Sequence, residues 1–547
     1  LQHDETQERD DLRDESGDLP GAGTGSTRAS LSDGGVSGGG RERQPSTAIG
    51  PSDPPEPLMA GREEAALTEA RGTIRAGRLA GKGMWPAIWI LALPVLFQQF
   101  MAALVGLVDK LFAGSLPSEI VVPAMDAIGV GSFVGWFIGI AMAGLGVGAQ
   151  AIIARSMGSG NREEAELALG QALTLSVFWG VLVAVAMWAM VTPLARMSGL
   201  SEEAVMHCRE YVGLIALGMP ACGLMMVGSM CLYGAGETVR PSLIAVGVNV
   251  VNVFFSWILS GIVVRAGEWS LPHPLPIDPA VWGVRGIALG TTIGYIAGAI
   301  ATVLLLRRGV RDLILVKGTL RPRLAMGYRI ARLGIPNFLE GMAMWAVNIF
   351  MMYFIGLVAI RQSDNGVGEG LVGAHIIAIQ WEALSFLPGF AMGTAAGALA
   401  GQYLGAGNPA MARRAIMACT IVGMLLMGAA GASFMFLGEP LTRLISDHPV
   451  HLQHTPNLLL VVGSVQVFFA LSMVTRQGLR GVGDVKWTLF ITTFSSYAIR
   501  LPLAYFFGIT LGLGLEGIWI GLSAEIIIRG LFFGARFLHS GWERVKV

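Results

Sequence analysis

Charge is scarce in this chain. Only 14% of its 547 residues are Asp, Glu, Lys or Arg, against roughly 25% in soluble domains, and the mean hydropathy is +0.60. That deficit excludes an ordinary water-solvated globule, so lipid must solvate most of the chain. The 38 basic and 38 acidic residues cancel, which leaves no net field to attract nucleic acid, and no such partner is expected. Cysteine is rare as well. Cys208, Cys222, Cys231 and Cys419 have no metal-ligand spacing and read as small packing residues, so no metal is expected. No Walker A loop, nucleophile elbow or HExxH pattern occurs, so ATP-driven work and familiar hydrolytic chemistry have no basis in the sequence.

What the chain does have is 75 glycines, 53% hydrophobic residues and a series of long apolar runs. From Trp85 onward twelve spans are predicted, roughly 86–113, 121–153, 168–192, 211–233, 241–264, 284–306, 328–358, 370–403, 413–437, 456–477, 487–510 and 515–537. A membrane-crossing helix needs about 20 mainly apolar residues, which each run supplies. The expected fold is therefore an all-α integral membrane bundle of twelve transmembrane helices. Residues 1–58 carry twelve acidic and five basic side chains among Gly, Ser and Pro, and such a segment is expected to be disordered. Residues 59–83 turn basic through Arg71, Arg75, Arg78 and Lys82. They suit either a short surface helix or a plain positive flank.

Lys and Arg set the orientation. One side holds that flank, Arg155, Arg162, Arg240, the dense Arg307–Arg332 connection, Arg413, Arg414, Arg476, Arg480, Lys486, Arg536, Arg544 and Lys546. The other holds Arg196, Arg209, Arg265, Arg361 and Arg443. The richer side is expected to be cytoplasmic, with both termini inside and the chain in the inner or plasma membrane.

An internal repeat runs through the spans. RSMGSGNREEAE from Arg155 meets QYLGAGNPAMAR from Gln402, so Gly158, Gly160 and Asn161 align with Gly405, Gly407 and Asn408 at an offset of 247. Gly234-Ala235-Gly236-Glu237 meets Gly481-Val482-Gly483-Asp484 at the same offset. Pro94, Phe112 and Gly114 align with Pro336, Phe354 and Gly356 at 242. The expected organisation is a tail and basic flank over 1–84, an N-terminal six-helix lobe over 85–307, a linker over 308–326, a C-terminal six-helix lobe over 327–538 and a cytoplasmic tail over 539–547. Six spans per half make the repeats parallel, which places a substrate site between the lobes near the midplane.

Polar groups inside the spans are the functional candidates. The first span, LALPVLFQQFMAALVGLVDKLFAG, carries Asp109 and Lys110, and a charge at such depth costs about 3 kcal/mol or more unless it faces protein or water. Gln98, eleven residues before Asp109, shares its stripe. On the fifth span Asn249, Asn252 and Ser256 share a face, and on the seventh Asn337, Glu340, Met344 and Asn348 do. Gln98, Asn249, Asn337, Met344 and Asn348 are the expected cleft lining. Glu525 with Arg529 at i,i+4 reads as a structural pair. The depth of Asp126 and Glu382 is left open. His448, His451 and His454 read as a loop cluster interrupted by Pro449 rather than a metal site.

The xLPxxxQQ then xxxVDxxFxG pattern of the first span, the two GxGN-type loops and the starts of the sixth and twelfth spans (Gly283–Thr291, Leu515–Trp519) resemble the multidrug and toxic compound extrusion (MATE) transporters. The resemblance covers residues 85–544. It implies a secondary-active antiporter, not an enzyme, that exports organic, amphipathic cationic compounds in exchange for H+ or Na+, with no other cofactor. It also implies a monomer in a lipid bilayer. For the coupling site it points to Asp109, Asn252 and Thr291. Ser256 stands where a second carboxylate would be, and Lys110 replaces the usual small polar residue. Glu340 lies in the helix that carries a coupling glutamate in some members, but at a shifted position, with Met344 in the corresponding place. Alternatives are a lipid-linked precursor flippase of the same superfamily, for which intramembrane basic residues are few, and an integral-membrane enzyme, for which no catalytic set is recognisable.

Overall fold

In lipid a backbone must satisfy its own hydrogen bonds, so the apolar runs close on themselves as helices. The computed structural model describes residues 79, 81–117, 120–197, 200–266, 269–271, 273–310, 312–363 and 370–545. The side chains of Asp109, Lys110 and Asp126 lie outside the described residues, as do residues 1–78, on which the expected disorder and most of the surface helix fall. The first half contains α1 (Met84–Gly114), α2 (Val121–Ser159), α3 (Arg162–Met197), α4 (Glu202–Leu217), α5 (Met219–Gly234), α6 (Val239–Ser260) and α7 (Pro279–Arg308). The second contains α8 (Leu324–Ser363), α9 (Leu371–Gly405), α10 (Pro409–Arg443), α11 (Pro449–Gly481), α12 (Val485–Phe494), α13 (Leu501–Tyr505) and α14 (Gly514–Leu538).

Ten of these helices are long and apolar enough to span a membrane, and α4 with α5, bent by 53°, makes an eleventh. Pro220 sits in the first turn of α5, where its missing N–H costs nothing, and so begins the new segment. The twelfth span is the stretch over 485–510, in which π turns at Ser495–Arg500 and Phe506–Thr510 separate α12, α13 and the following loop. Two very short strands, β1 (Val264–Ala266) and β2 (Trp269–Leu271), pair antiparallel between α6 and α7, a hairpin the apolar pattern gave no reason to expect.

Each GxGN loop assigns its residues separate tasks. Gly160 and Gly407 have φ of 80° and 79°, the left-handed conformation that ends a helix and that a β-carbon disfavours. Asn161 and Asn408 then cap the next helices, their Oδ1 atoms accepting from Glu164 N at 3.1 Å and Met411 N at 3.0 Å. Gly158 lies against the backbone of Gln402, and Gly405 against that of Arg155, with no room for a Cβ at either. These last two contacts are exchanged by the repeat. Two hydrogen bonds are exchanged to within one residue: Arg155 Nη2 donates to Val482 O at 3.2 Å, and Gln402 Nε2 to Gly234 O, one residue before the counterpart of Val482, at 2.7 Å.

The lobes are thus clasped at the GxGN end. Small residues let the helices approach there. Ile88, Leu91, Ala92 and Val95 of α1 share one core with Ala391, Ala395 and Ala396 of α9, while Gly144 and Gly148 of α2 lie against Gly334 and Phe338 of α8. Each lobe's first helix therefore rests on the other lobe's second. At the opposite end the cores separate. Phe112, Ala124, Val191 and Val284 belong to a cluster within the first lobe, and Val347, Leu371, Leu459 and Trp519 to one within the second. Phe338 of α8 packs against the first of these clusters, edge-on to Trp179 at 5.3 Å, and Gly341 of α8 lies against Ile140 of α2.

Residues 317–323 lie along α3. Gln171 Nε2 donates to Thr319 O and Arg321 O at 2.5 and 2.8 Å, and its Oε1 accepts from Arg323 N at 2.7 Å. The residues after α14 pack as well. Trp542 is fully buried on Phe537, and Arg413 binds Ser540 and Glu543. In the second Gly-x-Gly turn, burial pushes the Asp484 carboxyl up, while Arg536, 2.8 Å away, pulls it down.

Candidate functional site

The polar residues singled out on the sequence fall into two networks, one per lobe. In the first, Gln98 Oε1 accepts from Tyr233 Oη at 2.8 Å and from Ser242 Oγ at 3.0 Å, tying α1 to α5 and α6. One helical face further along α6, Asn252 Nδ2 donates to Thr291 Oγ1 at 2.9 Å. Thr291 in turn donates to Ile287 O at 3.2 Å. Two of the three residues to which the resemblance points, Asn252 and Thr291, are thus within hydrogen-bond distance of each other. Asn252 Oδ1 is buried with no partner among the described residues. A buried carbonyl left so is an acceptor awaiting a proton donor or a cation. Ser256 is fully buried and donates to Ile287 O at 3.2 Å. It serves the α6–α7 contact, and Gly290 leaves it no space. Asn249 is half-buried one turn earlier. α1 packs on α6, but the Asp109 carboxylate is outside the described residues.

The second lobe's network is ionic. Glu340, fully buried, pairs with Arg480 at 2.7 Å and Arg476 at 3.5 Å and accepts from Thr492 Oγ1 at 2.6 Å. Arg476 also reaches Met344 Sδ at 3.4 Å. Further along, Glu525 takes two bonds from Arg500, at 2.7 and 3.1 Å, and meets Arg529 at 3.4 Å. The expected Glu525–Arg529 pair exists, with Arg500 as its nearer partner. Glu382 is buried, and Arg500 and Arg529 are its charged neighbours. Of the seventh-span stripe, Asn337 and Glu340 are buried, Met344 is half-buried and Asn348 is exposed. They stay on one helical face, and exposure rises along it from Asn337 to Asn348.

Arg476 and Arg480 are the functional candidates the sequence reading missed. Their place near the end of an apolar run made them look like charges of the cytoplasmic rim. They sit instead on the last turns of α11 and point into the lobe. The available signal was their i,i+4 spacing inside the helical pattern, facing an otherwise unpaired Glu340. The histidines also differ from expectation. Pro449 starts α11 rather than breaking it, so His451 and His454 are helical. His454 Nδ1 lies 2.6 Å from Glu516 Oε1 and His451 Nδ1 2.8 Å from Ser446 Oγ. Among the described residues no group of three or more His, Cys, Asp or Glu is placed to hold a metal.

Between the lobes, just above the clasp, lies a pocket. Its walls are Val147 and Gln150 of α2, Met230 and Tyr233 of α5, Phe390 and Thr394 of α9, and Gln477 and Arg480 of α11. Met230 and Tyr233 are the repeat counterparts of Gln477 and Arg480, so the pocket sits on the pseudo-two-fold relation between the halves.

Comparison with known proteins agrees with this geometry. The MatE family model matches residues 94–258 and again 336–506. The chain is similar to "Probable multidrug resistance protein NorM" of Thermotoga maritima, 28% identical over 463 residues, 84% of this chain and 93% of that protein. It is also similar to "Multidrug resistance protein PmpM" of Pseudomonas aeruginosa, 25% identical over 468 residues, 83% of this chain and 91% of that one. Its fold is that of a solved structure described as the outward-facing conformation of a multidrug resistance MATE family transporter of the MOP superfamily. That match has a TM-score of 0.74 and 23% identity, and covers 86% of this chain and 100% of that one. With two matched stretches that together span more than half of its length, one in each lobe, the chain belongs to the MatE family of multidrug and toxic compound extrusion transporters, and it is a membrane transporter rather than an enzyme.

Proposed function

We propose that the protein is a secondary-active antiporter exporting amphipathic organic cations in exchange for H+ or Na+ by alternating access, as a monomer in the cell membrane with both termini cytoplasmic. The observation that carries this reading is the arrangement of the lobes. They are joined at one end by contacts that the repeat exchanges, and they have separate cores at the other. Rocking two such bodies about the middle opens one end as the other closes, which is how parallel-repeat transporters expose one site alternately. With the GxGN loops on the positively charged, cytoplasmic side, the end with separate cores faces outward in this reading.

Coupling is assigned to the first lobe. Asp109, Asn252 and Thr291 bind the proton or Na+, with the free Asn252 carbonyl as one acceptor, and ion occupancy alternates with substrate. Glu340 has a weaker claim, since two guanidiniums and a hydroxyl already occupy it. The flippase alternative has little support here, because Arg480 is the single charged residue in the pocket lining. The test is efflux from proteoliposomes under an imposed proton gradient and, separately, an imposed Na+ gradient. Export should follow one of them, and Asp109→Asn should preserve folding and abolish gradient-driven export. Export indifferent to both gradients, or unchanged in Asp109→Asn, overturns the reading.

A further inference from the structure

We propose that the linker between the lobes is a docking surface for the headgroups of anionic phospholipids in the cytoplasmic leaflet. This goes beyond the antiport reading and takes from it only the choice of leaflet. The stretch over 307–332 holds eight Lys and Arg but a single acid, Asp312. Asp312 is already paired with Arg162 at 2.5 Å, and Arg329 with Glu164 at 2.8 Å. Arg307, Arg308, Lys317, Arg321, Arg323 and Arg332 are all exposed, and none has an ion-pair partner among the described residues. Other arginines of that side are held by the protein, Arg413 by Glu543 and Arg536 by Asp484. Six free cations beside two spans form the kind of cluster that attracts anionic lipid.

The second observation is where these cations sit. On α7, Ile296, Ile300 and Leu304 are exposed at helical spacing, and Arg307 and Arg308 fall on the next turn of that stripe. On α8 the exposed stripe is Leu324, Tyr328, Arg332, Ile335 and Leu339. Exposed apolar residues on a spanning helix face acyl chains, so both stripes lead from hydrocarbon to positive charge. Arg332 lies within its stripe, where a long side chain runs along the apolar surface and sets its guanidinium among headgroups. Leu324, next to Arg323, is 88% exposed. A free phosphate compound gains nothing from such apolar neighbours. A phospholipid uses both, with its chains on the stripe and its phosphate on the guanidinium fork.

The third observation is that the linker is moored. Leu315 N donates to Leu306 O at 2.9 Å, which folds the residues after α7 back onto its end. Thr174 Oγ1 donates to Leu320 O at 3.1 Å, and Gln171 holds Thr319, Arg321 and Arg323 by their backbones. Gly170 lies against Thr319 with no room for a Cβ. These bonds engage the linker's main chain and leave the charged ends of Lys317, Arg321 and Arg323 exposed beside α3. A positive loop that only orients the chain during insertion acts through its charge and needs no such mooring.

The test titrates the full chain in detergent micelles with phosphatidylglycerol and phosphatidylcholine that carry the same pyrene-labelled chain. Wild type should bind phosphatidylglycerol about tenfold more tightly, a preference that shrinks as salt rises. Replacing Lys317, Arg321 and Arg323 together by Gln should reduce the preference to about twofold or less. Arg414→Gln with Lys486→Gln, which removes two exposed cations elsewhere on that side, should leave it unchanged. Because loop charge also directs insertion, Gln171→Ala is the variant that keeps every cation and frees the linker from α3. It should lower the preference about threefold or more. Equal binding of the two lipids by wild type overturns the proposal. So does an equal drop in both charge variants, or a preference that Gln171→Ala does not move. Full competition by glycerol 3-phosphate at the lipid's own concentration would make the ligand a free phosphate and overturn the lipid surface.

Discussion

The same position in the two lobes is solved in two different ways. Gln98 in α1 and Glu340 in α8 are repeat counterparts at the offset of 242, and their partners Tyr233 and Arg480 are counterparts at 247. In the first lobe the pair is a neutral hydrogen bond of 2.8 Å, and in the second an ion pair of 2.7 Å. The helices that present them have been copied faithfully while the chemistry between them has not. A neutral hydrogen bond contributes about 1 kcal/mol net, because water offered the same partners before folding. A buried ion pair contributes uncertainly, but its removal by halves is severe. The first lobe can therefore rearrange its polar groups cheaply, as the proposed ion binding and release require. The second holds its groups in a lattice of mutual charge. The copied backbone gives the transporter its symmetric clasp, and the divergence of the interiors gives each lobe its own task.

The largest expected effect tests that contrast directly. Glu340→Ala strands Arg476 and Arg480 and should lower stability by about 3–5 kcal/mol. Tyr233→Phe, which removes the counterpart hydroxyl, should cost about 1 kcal/mol. Thermal unfolding of both variants in detergent would measure the gap, and equal losses would break the comparison. The clasp comes next, and there the lobes should behave alike. Gly158→Leu and Gly405→Leu each force a side chain into the other lobe's backbone, a strain of about 1–3 kcal/mol that the clasped state alone must bear. Efflux at matched abundance should fall to a similar extent in both, and a loss confined to one would limit the symmetry to the resting structure.

Smaller in stability, but sharper for function, is Asn252→Ala. It should cost about 1 kcal/mol of stability yet uncouple export from the ion gradient. Its repeat counterpart, Ile499→Ala, should leave coupling intact when both are assayed in proteoliposomes. Coupling lost in both variants would mean that the ion site is not confined to the first lobe. The smallest effect concerns single hydroxyls. Thr492→Val and Ser242→Ala each delete one bond, to Glu340 and Gln98 respectively, and should cost about 1 kcal/mol or less. If Thr492→Val instead matched Glu340→Ala, the hydroxyl rather than the arginines would be what holds the carboxylate.

What could be read from the chain alone was whatever is local. Hydropathy alone requires helices, since no other open structure hides its backbone in lipid. The Gly160–Asn161 and Gly407–Asn408 turns were legible because a left-handed residue followed by a capping side chain acts within a few residues. The duplication was legible because both copies kept those turns. Asn252 was found because a helical period places it on one face with Asn249 and Ser256, and Thr291 because of the resemblance to the MATE transporters. Periodicity says which residues share a face, not which helix that face will meet. Arg476 and Arg480 therefore looked like rim charges, and Ser256 like a coupling residue. Tertiary packing decided that Arg480 turns inward to Glu340, that Gln98 meets a tyrosine 135 residues away, and that Gly158 and Gly405 close on each other's lobes. Those outcomes depend on the rotation and approach of whole helices, which are set by the sum of many small contacts across both lobes and by no short stretch of sequence.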